Sequence, residues 1–137
     1  MPDQPRNDKL MQLFLLGIVI LIVPIALNYG LNPGLSLPMT LDIRVEGTDQ
    51  THIFRALMCL YLGAALYWGI GAFKPSWQRM AVIWGIFFAL SLAAGRAISL
   101  VVDGMPSSLL VIYLVIEIFG GLLGLAVLFA ADKKLRR

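Results

Sequence analysis

The chain has 137 residues, 59% of them hydrophobic and only 14% charged, with a net charge of +3 and a mean hydropathy of +0.83. So little charge cannot cover the surface of a water-soluble domain, and so small a positive excess leaves out the broad basic face that nucleic-acid binding needs. One cysteine, Cys59, and one histidine, His52, exclude an intrachain disulfide, a dithiol relay and a metal site built on several thiolates or imidazoles.

The first apolar run covers residues 10–28, behind Arg6 and Lys9. It resembles a secretory signal in its charged lead, but it is longer than a signal core and no small-x-small cleavage site follows it. A retained helix is expected, and an uncleaved signal anchor gives the same topology. Pro24 is expected to kink it. Residues 29–52, "YGLNPGLSLPMTLDIRVEGTDQTH", form a long, turn-rich connection. Within it "LDIRVE" alternates apolar and polar residues, which predicts a short strand or an extended lid with Leu41, Ile43 and Val45 turned inward. Such a segment serves either as a plain cover for the bundle's end or as a lid over a ligand.

Three more apolar runs follow, at 53–73, 80–102 and 108–131. Each of the four is near the ~20 residues that a helix needs to cross about 30 Å of hydrocarbon. Helix is the expected spanning form, since backbone groups in lipid must be satisfied within the segment. "KPSWQR" joins the second and third runs and "DGMPS" the third and fourth, so these neighbours are expected to be antiparallel. The predicted fold is all-α: an integral membrane four-helix bundle forming one domain over 1–137, with a loop or short-strand cap between helices one and two.

Basic residues orient it. Arg6, Lys9, Lys74, Arg79, Lys133, Lys134, Arg136 and Arg137 all fall on one side of the spans, while Arg44 falls on the other. The positive-inside rule then places both termini in the cytoplasm and the cap outside, with "DKKLRR" held at anionic headgroups. Trp68 and Trp77 suit an interfacial belt, and Cys59 and the methionines are expected to fill core space.

Charged residues inside apolar runs are costly and normally face a bundle interior or a wet cavity. Arg96 lies seven residues before Asp103, roughly 10 Å below the outer turn, and Glu117 lies nine residues after Ser108, roughly 13 Å below it. On antiparallel neighbours these depths match, and an Arg96–Glu117 ion pair is expected. Ser99 and Asp103 share the face of Arg96, Tyr113 shares that of Glu117, and His52 shares that of Arg55 at the start of helix two. Arg55 either snorkels to headgroups or bends inward to Asp103 or Glu117. The cluster His52, Arg55, Arg96, Ser99, Asp103, Tyr113 and Glu117 is thus expected to be structural or ligand-binding. "GGLLG" has a GxxxG spacing, so Gly120, Gly121 and Gly124 are expected to pack helices closely, within the bundle or at a homodimer seam.

"EGTDQTHIFRALMCLYLGAALYWGIGAF" and "GRAISLVVDGMPSSLLVIYLVIEIFGG" carry a resemblance. With a His-x-x-Arg opening helix two, a Gly-Arg-x-x-Ser…Asp-Gly-x-Pro block and a glutamate in helix four, the chain resembles an uncharacterised bacterial family of small four-span membrane proteins, domain-of-unknown-function family 4345. The resemblance runs from Glu46 to about Leu128, and its motifs fall on His52, Arg55, Gly95, Arg96, Ser99, Asp103, Gly104, Pro106 and Glu117. It implies the four-span architecture in a bacterial inner membrane and supplies no activity.

The leading expectation for function is a non-enzymatic accessory or scaffold protein of the inner membrane, a subunit of a larger complex in contact with the lipid bilayer and with other membrane subunits or a second copy of itself. The alternatives are a binding or transport module for a small anionic or amphipathic, lipid-like ligand held through Arg55 and Arg96, and a lipid- or quinone-modifying enzyme. No catalytic constellation, cofactor or metal is predicted.

Overall fold

The structure is a computed structural model and describes residues 8–135, with side chains as far as Lys133. Arg6, Arg136, Arg137 and the side chain of Lys134, all expected among the cytoplasmic cations, lie outside the described residues. Five helices follow one another: α1 (Lys9–Gly30), α2 (Pro33–Leu41), α3 (Gly47–Phe73), α4 (Pro75–Val102) and α5 (Ser108–Leu135). Helices α1, α3, α4 and α5 are each long and apolar enough to cross a membrane. No strand occurs among the described residues.

The helix boundaries follow from local chemistry. Asp8 caps α1, its carboxylate accepting from the backbone N–H groups of Leu10 and Met11 at 2.9 and 3.2 Å. α1 runs on through Pro24 to Gly30. α3 starts at Gly47, before the apolar run at 53, because "GTDQTH" is polar yet helical: Thr51 Oγ1 donates to the Gly47 carbonyl and Gln50 Oε1 accepts the Glu46 N–H. α4 likewise starts at Pro75 and not at 80. Proline at a first helical position loses a donor that has no helical partner anyway, so "KPSWQR" shrinks to a one-residue link at Lys74. The predicted Asp-Gly turn between α4 and α5 is present, with Gly104 at φ +93°.

The outer connection corrects the expected strand. Residues 33–41 are the helix α2, and only 42–46 lie outside any helix, with no strand among them. Pro33 opens α2, and Asp42 closes it in the left-handed region at φ 56°. Side chains tie it back onto α1: Ser36 Oγ donates to the Asn28 carbonyl at 2.6 Å, and Asn28 Nδ2 donates to Thr40 Oγ1 at 3.0 Å. Leu37 and Leu41 are buried beneath α2, and Ile43 and Val45 pack half-buried against the same core, so the inward turn of 41, 43 and 45 holds.

α1 packs along α3, α4 along α5, and α3 joins the two pairs, while the α1–α5 seam is sparsely packed. The end carrying Lys9, Lys74, Arg79 and Lys133 is the basic end; the other is the α2-capped end. At the basic end Gln78, only 3% exposed, accepts the Asp8 N–H through Oε1 at 2.8 Å and donates through Nε2 to the Asp8 carbonyl at 3.1 Å. Arg79 pairs with Asp132 at 3.2 Å nearby.

Trp68 is fully buried and belongs to no surface belt; its ring meets Phe88 edge-on, with centroids 5.0 Å apart. Trp77 is exposed, with Lys74 Nζ 4.2 Å over its ring. Cys59 is exposed, as are Met39, Met80 and Met105, so these do not fill the core; Met11 does. A thioether or thiol is apolar enough to face lipid at no loss.

Glycine packing is also redistributed. A Cβ at Gly124 would lie 2.6 Å from Ile86 Cγ1 and 2.8 Å from Phe14 Cζ, and one at Gly121 would meet Leu90. A Cβ at Gly120, the other half of the GxxxG pair, would meet nothing within 4 Å. The close approach of α4 and α5 therefore uses 121 and 124. Gly124→Val is expected to lower the stability of the detergent-solubilised protein by about 1–3 kcal/mol through overpacking. Gly63→Ala, in open space, is expected to leave it unchanged or raise it by up to ~1 kcal/mol. Thermal unfolding of the two variants beside the parent protein measures both.

Candidate functional site

α4 descends from the basic end, turns at Gly104 and returns as α5, which brings Arg96 and Glu117 to one depth. Arg96 Nε donates to both carboxylate oxygens of Glu117, at 2.9 and 2.8 Å. The two side chains retain 20% and 13% exposure. Both bonds use Nε of the guanidinium. Tyr113, one turn from Glu117, places its ring 5.4 Å from the guanidinium carbon, within cation–π range.

Two further tyrosines, absent from the predicted cluster, complete the site. Tyr29 at the end of α1 and Tyr61 in the middle of α3 both act electrostatically on this group of residues. Their rings meet edge-on at 5.6 Å, and Tyr61 meets Phe88 edge-on at 5.2 Å. Each long helix thus sends at least one polar side chain to the same level. A tyrosine mid-span needs somewhere to put its hydroxyl, and that requirement was the available signal for Tyr61. Tyr29 carried no such signal, because it sits where the apolar run gives way to a turn-rich stretch.

Toward the basic end from the ion pair lies a cavity of about 70 Å³, lined from all four long helices. Arg96, Glu117, Tyr61 and Tyr113 form its polar wall, and Ile18, Ile22, Phe88 and Leu92 face them. Trp68 also lines it, and its Nε1–H has no hydrogen-bond partner among the described residues. On the other side of Arg96 an open groove between the end of α4 and the start of α5 contains Gly95, Ser99 and Asp103. Arg96 therefore borders both the cavity within the bundle and the outer groove.

The structure divides the predicted set. Arg96, Tyr113 and Glu117 come together. Ser99 and Asp103 share the face of Arg96, as the helical spacing implies, but are exposed along the outer groove. His52 and Arg55 are exposed and line neither space. What Arg55 contributes is backbone: its Cα packs beside Gly30, where α1 and α3 approach closely. Gly120 lines the cavity and makes room there.

A bundle of four apolar helices of membrane-crossing length, with a cluster of polar side chains turned inward, has the architecture of a multi-pass membrane protein. The chain belongs to the DUF4345 family, a domain of unknown function, whose family model matches residues 10–128. The match takes in α1 as well as the helices whose motifs carry the resemblance. No curated protein and no solved structure matches the chain.

Breaking the ion pair strands a charge in a low-dielectric interior. Arg96→Met and Glu117→Leu alone are each expected to cost about 3–5 kcal/mol, whereas the double substitution is expected to be close to neutral. A double-mutant cycle on unfolding in detergent measures this; additive losses would mean that the two charges do not depend on each other.

Proposed function

We propose that the protein is a four-span inner-membrane binding module that holds a small amphipathic molecule in the cavity between its four long helices. The observation that carries this reading is the largely apolar cavity within the bundle, with Arg96 and Glu117 in its wall. A pair needed for helix register alone works best fully packed. Here its guanidinium borders empty space on one side and an open groove on the other. The ligand is held through Arg96 and Tyr113, and Arg55 takes no part in the contact. The accessory-subunit reading has no structural feature of its own in its favour. An acid–base role for Glu117 is disfavoured because both carboxylate oxygens are engaged by Arg96.

The proposed orientation places both termini in the cytoplasm. Lys9, Lys74, Arg79 and Lys133 support it by gathering at one end of the bundle, with Arg44 at the other.

In a Cys59→Ser background, Asp103→Cys is expected to react with a membrane-impermeant maleimide in intact cells, and Ser76→Cys only after permeabilisation. The reverse labelling would invert the topology. For the binding function, native mass spectrometry of protein extracted in mild detergent is expected to show a co-purifying amphiphile. The Arg96→Met/Glu117→Leu double variant, which keeps its stability, is expected to lose it. A double variant that retains the same adduct would count against the site.

A further inference from the structure

We infer that the open groove between α3 and α4 near the basic end seats an acyl chain of an anionic phospholipid, whose phosphate lies against the ammonium of Lys74. This lipid site is on the outside of the bundle. It goes beyond the binding function proposed above and does not rest on the cavity.

Lys74 is a fixed and available cation. It is the one-residue link between α3 and α4, and its backbone is held on both sides. Its N–H donates to the Ile70 carbonyl at 2.9 Å, and its own carbonyl accepts from the N–H groups of Trp77 and Gln78 at 2.9 and 3.1 Å. A lysine at a membrane interface normally extends its stem toward water. Here the exposed ammonium stands 4.2 Å over the Trp77 ring. It makes no ion pair among the described residues, and the first turn of α4 has no acidic side chain. An ammonium has three donors, and one ring face does not occupy them all.

The rings beneath it lead to the groove. Trp77 packs on Tyr67 of α3, with centroids 5.8 Å apart. Tyr67 is one wall of the groove, and Met80, Ile83, Trp84 and Phe87 of α4 form the other. Trp77, Met80, Trp84 and Phe87 recur three or four residues apart, so they lie on one stripe, and they are 38%, 57%, 48% and 64% exposed. Surrounding lipid reaches them directly. At 1.5 Å per residue the stripe is about 15 Å long, half of a ~30 Å hydrocarbon core and hence the depth of one leaflet. The groove's volume of about 460 Å³ is roughly three times that of the ~150 Å³ apolar cavity that holds a benzene ring. An acyl chain laid along it starts beside the cation and ends near mid-bilayer.

Charge selects the head. Every phospholipid carries a phosphate, but a zwitterionic head brings an ammonium as well. The groove has no carboxylate in its wall to receive that ammonium, and Lys74 repels it. An anionic head such as phosphatidylglycerol brings the phosphate without the opposing charge.

The test uses the full chain in phosphatidylcholine vesicles that contain either phosphatidylglycerol or phosphatidylcholine brominated on the acyl chain, and it reads the quenching of tryptophan fluorescence. Trp68 is fully buried, so in a Trp77→Phe protein Trp84 is the only exposed tryptophan; phenylalanine keeps an aromatic face under Lys74. Trp84 is expected to prefer phosphatidylglycerol about fivefold, the preference that one lysine near the surface confers. Lys74→Gln is expected to abolish the preference. Lys133→Gln, which removes the same charge from the same end but outside the groove, is expected to keep it. Equal quenching by the two lipids, or equal losses in Lys74→Gln and Lys133→Gln, would overturn the site. A preference read by Trp77 in a Trp84→Phe protein but not by Trp84 would overturn the seating of the chain in the groove. Either failure leaves the cavity and its proposed ligand untouched.

Discussion

A guanidinium and a carboxylate, 21 residues apart in the chain, meet at 2.8 Å inside an apolar bundle where their polar neighbours at that depth are tyrosines. Neither can be exposed to hydrocarbon without its counterpart. That single constraint determines the register of α4 against α5. The turn at Gly104 brings the two helices back on each other, but a turn tolerates sliding, and an apolar face packed on an apolar face in lipid has little to choose between registers. The ion pair chooses. Once it is made, Gly121 and Gly124 come opposite Leu90 and Ile86, where only glycine leaves room.

The same constraint organises the other two helices around the pair. Tyr29 and Tyr61 come from α1 and α3, and the edge-on sequence Tyr29, Tyr61, Phe88, Trp68 runs through the middle of the bundle. Aromatic edges carry partial positive charge and their faces partial negative, so this stack extends a graded polarity from the ion pair into an otherwise apolar interior. The orphaned indole N–H marks its far end.

The parts of this arrangement that depend on short-range pattern could be read directly from the chain. Four helices follow from run length, and the Arg96–Glu117 pair follows from counting residues to a shared turn. What could not be read depends on which way a residue faces. Hydropathy marks the greasy part of a helix and is silent on polar turns that continue it, so α3 and α4 start five or six residues ahead of their apolar runs. Pro33 reads as a breaker in sequence but opens α2, because a proline at the first helical position is an asset. Trp68 and Cys59 are the sharper cases. In an all-apolar helix nothing in the sequence says whether a side chain faces lipid or the core, and each of the two faces the way opposite to the one its residue type suggests.

Packing is unevenly shared between the ends of the bundle, and this accounts for where the cavity lies. At the basic end Gln78 grips both backbone groups of Asp8, Arg79 reaches Asp132, and Gly71 lets α3 touch Ala81 of α4. These contacts join all four long helices. Toward the capped end Gly30 closes α1 onto α3, and the ion pair closes α4 onto α5. Between the pairs the Tyr61–Phe88 edge contact joins α3 to α4, and α2 packs lightly on α5. The cavity lies between these pairs, lined from all four long helices, and the ion pair stands on its α4–α5 side.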